Sequence, residues 1–177
     1  MVESFAPIVG AGARVLILGT LPSRASLEAG YNYAHPRNAF WPMMFDLFGA
    51  GEALEPTTPF SERAELLRRS HIALWETIKQ ADREHSSLDS EIVASTEVPN
   101  DIVGLLHEYP TITHVFFNGG KAESSFRRLV APQLERNPPE QEIAYTKLPS
   151  TSPAHAARSY QQKLQAWSVV GEAAAHT

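Results

Sequence analysis

Four short apolar runs set the strongest limit on what this chain can fold into. They are RVLILG (Arg14–Gly19), HIALWET (His71–Thr77), ITHVFFNG (Ile112–Gly119) and IAYTKL (Ile143–Leu148). Each is short, rich in β-branched or aromatic residues, and closed by Gly, Pro or a polar cluster, which reads as a buried strand. Helical patterns lie between them. FWPMMFDLFG ends at Gly49, SERAELLRRS carries charges suited to an exposed face, and NDIVGLLHEY opens with Asn100 as a plausible N-cap. KAESSFRRLVAPQL sets Ala122, Phe126, Leu129 and Val130 on one side. The last helix is expected to begin at SPAHAAR, with Ser152 as N-cap and Pro153 in the first helical position. Strands alternating with helices predict an α/β fold: a single three-layer α/β/α domain over residues 1–177 with a four-stranded parallel sheet. GAGEALEPTTPF and NPPEQE read as surface loops, and GEAAAHT as a frayed tail.

Composition narrows the classes of function. The chain has no cysteine, which excludes disulfides, thiolate catalysis and cysteine-held iron–sulfur clusters. No apolar run reaches the length of a membrane span, and MVESFAPIVG lacks a basic leader, so a cytoplasmic protein with no membrane partner is expected. The net charge of −5 gives no overall attraction to nucleic acid. Local patches decide such binding, and arginines stand near the unusual stretches: Arg24, Arg37, Arg127, Arg128 and Arg158.

In open parallel sheets, ligands sit beyond the carboxyl ends of the strands. Here the first strand leads into GTLPSRAS, the third into FNGGK and the fourth into LPSTSPAHA. GTLPS is a sharp turn whose backbone can approach a ligand; Ser23 in it can equally be a helix cap. It lacks the Gly-Lys-Ser/Thr ending of a nucleotide-hydrolase phosphate loop. Asn118 offers donors and an acceptor that can read the edge of a flat heterocycle, or simply support the Gly-Gly turn. Ser150, Thr151 and Ser152 at a helix N-terminus would form an anion site, with His155 able to contact a phosphate or to stand solvated. The densest stretch is GYNYAHPRNAFW (Gly30–Trp41). Asn38 there can cap the following helix, but Pro42 argues against it: that cap would give residue 42 the first intrahelical amide, and proline has none. Asn38 is then free for another task.

Together LILGTLPSRASL, YNYAHPRNAFWPMM, LWETIKQADREHSSLDSEI, VFFNGGKAESSF and LPSTSPAHAAR resemble the uracil-DNA glycosylase superfamily. Within it the chain is most similar to the hypoxanthine-DNA (deoxyinosine) glycosylase family, related to the mismatch-specific uracil-DNA glycosylases. The resemblance implies a monofunctional DNA glycosylase without metal or cofactor, a monomer whose partner is DNA carrying a deaminated base. By the same resemblance Asn38 would position water or assist departure of the base. Tyr33 would stack on the base, Asn118 would read its edge, and Leu21 would line its site. Ser23, the Ser150–Ser152 segment, His155 and Arg158 would contact phosphates, with His155 or Arg158 filling the vacated base stack. Many relatives carry a carboxylate or Asn where Leu21 stands; a leucine can neither accept a proton nor orient water. No lysine is expected in position to form a Schiff base, so no lyase step is expected. Excision of uracil, and a damaged-DNA binding protein without turnover, are the alternatives.

Overall fold

A computed structural model describes residues 1–175. The four expected strands form one parallel sheet: β2 (Val15–Gly19), β3 (Ile72–Glu76), β6 (His114–Asn118) and β7 (Ala144–Leu148), in spatial order β3-β2-β6-β7. Successive side chains of a strand point to opposite faces, and both faces are covered. Val15, Ile17, Leu74 and Phe116 pack under α2 (Phe40–Phe48), α3 (Phe60–Arg69) and α7 (Tyr160–Ala175), with Trp41, Met44, Leu67 and Trp167 at the centre of that layer. Leu16, Leu18, Val115 and Phe117 pack under α4 (Ile102–Glu108), α5 (Gly120–Leu129) and α6 (Ala131–Arg136), through Leu106, Phe126 and Val130. Two apolar layers on one sheet explain why VLIL of β2 is buried at every position.

A second sheet was not foreseen. β1 (Val2–Glu3), β4 (Ile78–Ala81) and β5 (Val98–Pro99) pair antiparallel in the order β1-β4-β5. It forms because the chain bends at Thr77, directly after β3, and starts a new strand. The small sheet fixes both ends of a long loop, residues 82–97, above the carboxyl edge of the main sheet.

Three helix boundaries differ from expectation. Asp101, not Asn100, caps α4, its carboxylate accepting from the Gly104 amide at 2.9 Å. Asn100 is buried and donates to the Glu76 carbonyl at 2.7 Å, so it clamps the end of β3 instead. The expected single helix from Lys121 onward breaks at Val130 into α5 and α6. The last helix starts at Tyr160, not at Ser152. Ser159 and Gln162 form a capping box: the Ser159 amide donates to Gln162 Oε1 (2.8 Å) and the Gln162 amide to Ser159 Oγ (3.2 Å). Residues 153–158 are all exposed, so a helix there would have had no apolar face to bury. The expected fraying of Gly171–Thr177 fails as far as Ala175, since Ala174 is buried and its carbonyl accepts from Arg14 at 2.8 Å. His176 and Thr177 lie outside the described residues.

Candidate active site

The connections from β2 and from β6 leave toward opposite faces of the sheet, which opens a crevice at their carboxyl ends. A cavity of about 370 Å³ occupies it. All four parallel strands reach it: Gly19 from β2, Glu76 from β3, Asn118 from β6, and Ser150–Ser152 just after β7. Tyr33, Asn38, Leu21, Ser23 and His155 also line it, so nine of the residues singled out in sequence share one wall, counting Ser150, Thr151, Ser152 and Asn118 but not Arg158. Arg158 is exposed on the turn before α7 and is not part of that wall.

Two buried tryptophans hold the loops that carry these residues. Trp41 Nε1 donates to the Asn32 carbonyl at 2.7 Å, and Trp167 Nε1 to the Pro149 carbonyl at 2.8 Å. Each indole is an apolar core residue whose single donor reaches out to a site loop. Replacing Trp167 by Phe keeps a ring in the core but strands the Pro149 carbonyl. The expected cost is about 1–3 kcal/mol of stability, read by chemical denaturation, together with slower base excision from a loosened 149–152 loop.

Tyr33 sits at φ 58°, a left-handed conformation rare for a bulky residue. Strain of this kind persists where surrounding contacts impose it. Here the ring packs on Phe40, centroids 4.3 Å apart, and the hydroxyl turns inward toward Glu76 and Asn118 without closing a hydrogen bond to either. Burial, and then the Glu76 carboxyl, push the phenol well above its ordinary range, against a smaller opposing effect of the Asn118 amide.

Asn38 precedes α2, whose first turn is closed by the Met43 amide donating to the Ala39 carbonyl at 2.9 Å. Pro42 thus falls where no intrahelical donor is needed. Asn38 Oδ1 still accepts from the Phe40 amide at 2.9 Å. Its Nδ2 has no partner among the described residues, and the side chain stands on the cavity wall. Asn118 is engaged more fully: Oδ1 accepts from the Thr151 amide and Nδ2 donates to Thr151 Oγ1, both at 3.0 Å. One Nδ2 hydrogen is left for a ligand. Thr151 is buried, so its hydroxyl ties the loop to β6 instead of reaching outward.

The neighbouring hydroxyls are not at a helix N-terminus. Ser150 Oγ accepts from the Ser152 amide (3.1 Å) and Ser152 Oγ from the Ala154 amide (3.2 Å), a pair of tight serine turns. Acceptance of an amide leaves each O–H free to donate. Ser23 does cap α1 (Arg24–Ala29), accepting from the Ser26 amide at 3.1 Å. Two of the arginines are spent elsewhere: Arg128 meets the buried Glu97 carboxylate at 2.8 Å and Arg127 lies 3.6 Å from Glu123.

Sequence reasoning missed three polar residues on the cavity. Glu76 is buried, with Oε1 accepting from Asn32 Nδ2 at 2.8 Å and Oε2 unpartnered. Burial raises its carboxyl to about 8; the Asn32 hydrogen bond opposes this and the Asp89 charge adds to it. Asp89, from the 82–97 loop, accepts from Thr20 Oγ1 at 2.7 Å and brings that loop down onto the mouth. Lys121 also reaches the wall, and its ammonium pairs with Glu97 at 2.8 Å. The only signal for the first was a glutamate closing an apolar strand, LWE, where a charge is out of place unless a partner or protonation compensates its burial. Among the described residues one group offers three metal-ligand atoms, Glu84, His85 and Glu91, and it stands off the cavity wall. No helix among them is long and apolar enough to cross a membrane.

Comparison with known proteins agrees with this fold. The model of the uracil DNA glycosylase superfamily matches residues 7–171. The chain is 32% identical over 120 residues to a protein of Methanosarcina barkeri named hypoxanthine DNA glycosylase, covering 68% of this chain and 72% of that one. Its counterpart of the same name in Methanosarcina acetivorans is 33% identical over 120 residues, with the same coverage. The solution NMR structure of a candidate uracil DNA glycosylase from Methanosarcina acetivorans superimposes with a TM-score of 0.73 at 29% identity, over 98% of both chains. With a cavity at the carboxyl edge of a parallel sheet and these matches over most of its length, the chain belongs to the uracil DNA glycosylase superfamily and is a DNA glycosylase.

Proposed function

We propose that this enzyme excises hypoxanthine from DNA after the nucleotide is flipped into the cavity. The observation that carries the reading is the convergence of Asn38, Tyr33 and Asn118 on one wall, in a chain similar to two proteins named for that activity. Flipping costs a few kcal/mol, and less where the base is mispaired. The C1′–N9 bond breaks with its electron pair leaving on the purine. The sugar becomes oxocarbenium-like, water adds to C1′ and releases a proton to solvent, and the purine anion takes one up. Such a reaction needs donors aimed at the departing base and a placed water more than it needs a strong base. Asn38 supplies the Nδ2 donor and a spare Oδ1 lone pair; an amide cannot deprotonate water at neutral pH, so its work is orientation. Tyr33 and Leu21 hold the faces of the base, and the free Nδ2 hydrogen of Asn118 meets its edge. The Ser150 and Ser152 hydroxyls and His155, around the mouth, meet phosphates, while the Ser23 hydroxyl donates to Ser26 Oγ at 3.1 Å.

The test is a substrate panel. Duplexes with a single deoxyinosine or deoxyuridine are incubated with the protein and then cleaved with alkali. Abasic product from deoxyinosine is the expected result. Product from deoxyuridine alone reassigns the substrate, and tight binding to both without product makes the chain a binding protein.

A further inference from the structure

The function proposed above leaves unused the one buried acid on the cavity wall among the described residues, Glu76. Glu76 ends β3 on the cavity wall, 2% exposed, with one carboxyl oxygen fixed and the other buried beside Gly19 and the Tyr33 hydroxyl with no hydrogen-bond partner. Asn32 Nδ2 donates to Oε1, and Asn32 is itself pinned, since its carbonyl accepts the Trp41 indole donor. The Asn100 amide holds the Glu76 carbonyl, so the backbone is fixed too. Room for Oε2 exists because residue 19 is glycine: a Cβ there would come closer than 3.0 Å to both Glu76 Oε2 and the Tyr33 hydroxyl. A buried polar atom held this firmly with no partner needs a reason. A ligand that completes it is a sufficient one.

Resting on the reading of the enzyme as a hypoxanthine glycosylase, we propose that Glu76 is a base-contacting residue that, as the neutral acid, donates a hydrogen bond from Oε2 to the O6 carbonyl of a 6-oxopurine. With Oε1 committed as acceptor to Asn32, the proton of the neutral carboxyl belongs on Oε2, the oxygen that has no partner. Deamination of adenine exchanges a donor amine at position 6 for an acceptor carbonyl. A fixed O–H donor rewards that exchange and opposes the amine. The same bond strengthens as negative charge builds on the departing purine, so it favours the transition state over the bound substrate. Ionised, Glu76 would do the reverse: it could only accept, and it would repel the purine anion.

The groups that face Glu76 are consistent with the neutral form. They are the Tyr33 hydroxyl from the 30–38 turn, the Asn32 amide, and the Asp89 carboxylate from the 82–97 loop. The one cation on the wall, among the described residues, is Lys121, and it is bound to Glu97. With its carboxyl raised to about 8, Glu76 is protonated at neutral pH and ionises as pH rises through that value.

The experiment is single-turnover excision from a deoxyinosine duplex between pH 6 and 10 by wild type, Glu76→Gln and Glu76→Ala. Circular dichroism and thermal unfolding verify each fold. Glutamine keeps an acceptor for Asn32 and puts an amide donor in place of Oε2–H. It is expected to stay within about tenfold of wild type at pH 7 and to lose the alkaline decline. The decline is read as the ratio of wild type to Glu76→Gln, which cancels titration of the substrate itself. Alanine is expected to slow excision about a hundredfold at every pH, the usual cost of one such donor. If Glu76→Ala does not fold, the glutamine ratio decides alone. A flat ratio across pH 8, a glutamine variant far slower than tenfold below wild type, or a folded alanine variant at wild-type rate overturns the assignment while leaving the hypoxanthine reading intact. Wild type inactive on deoxyinosine overturns that reading, and this inference with it.

Discussion

Asn38→Ala is expected to slow base excision by about a hundred- to a thousandfold, the usual loss for one positioned donor, in a protein that still folds. The structure gives Asn38 two tasks that this variant removes together: acceptance of the Phe40 amide at 2.9 Å, and presentation of Nδ2 to the cavity. The first is a helix-start bond worth about 1 kcal/mol; it cannot account for a loss of that size in rate. Asn38→Asp separates the two. It keeps an acceptor for the Phe40 amide, so stability should stay near wild type, and it lacks the donor, so excision should stay slow. Thermal unfolding and single-turnover rates on both variants check this. Full activity in the folded fraction of Asn38→Ala would reduce Asn38 to a cap.

Gly19→Ala is expected to damage stability and activity at once. Residue 19 closes the central strand and is packed between the Glu76 carboxyl and the Tyr33 hydroxyl. Neither neighbour can step aside: Glu76 is held by Asn32, and Tyr33 is wedged on Phe40 with its backbone already at positive φ. Overpacking of a filled interior costs about 1–3 kcal/mol. Because the displaced groups are those on the cavity wall, excision should fall by more than the change in folded population explains. Urea denaturation gives the first quantity and rates at saturating enzyme the second. A variant as stable and as fast as wild type would mean that the crevice has slack the structure does not show.

The two variants probe different layers of one design. Asn38 stands on a turn at the cavity wall, where a change alters chemistry and spares the core. Gly19 lies where core and site are the same atoms. The tryptophans extend this coupling, since Trp41 and Trp167 are fully embedded yet each spends its N–H on a site loop. Stability of the layer around α2 and α7 therefore sets how well the cavity is formed.

The amino-acid order by itself determined the strands, the layers and the rim on which chemistry occurs. Those depend on short-range pattern: VLIL and VFF are apolar at consecutive positions, and the turn residues that follow them mark the strand ends. The motif stretches after those ends were legible for the same reason. Local competition was harder to read. Ser152-Pro153 has the form of a helix start, yet the Ser159–Gln162 capping box precedes the apolar face and so won. Glu76 and Asp89 could not be read at all from pattern. What they do depends on burial, and burial of Glu76 comes from Gly19, Asn32 and Tyr33, all at least 43 positions away in sequence, while Asp89 comes to rest on Thr20, 69 positions away. Only the folded chain brings those segments together, because a carboxyl acquires its protonation state from the solvent and charges it is left with, not from its neighbours in sequence.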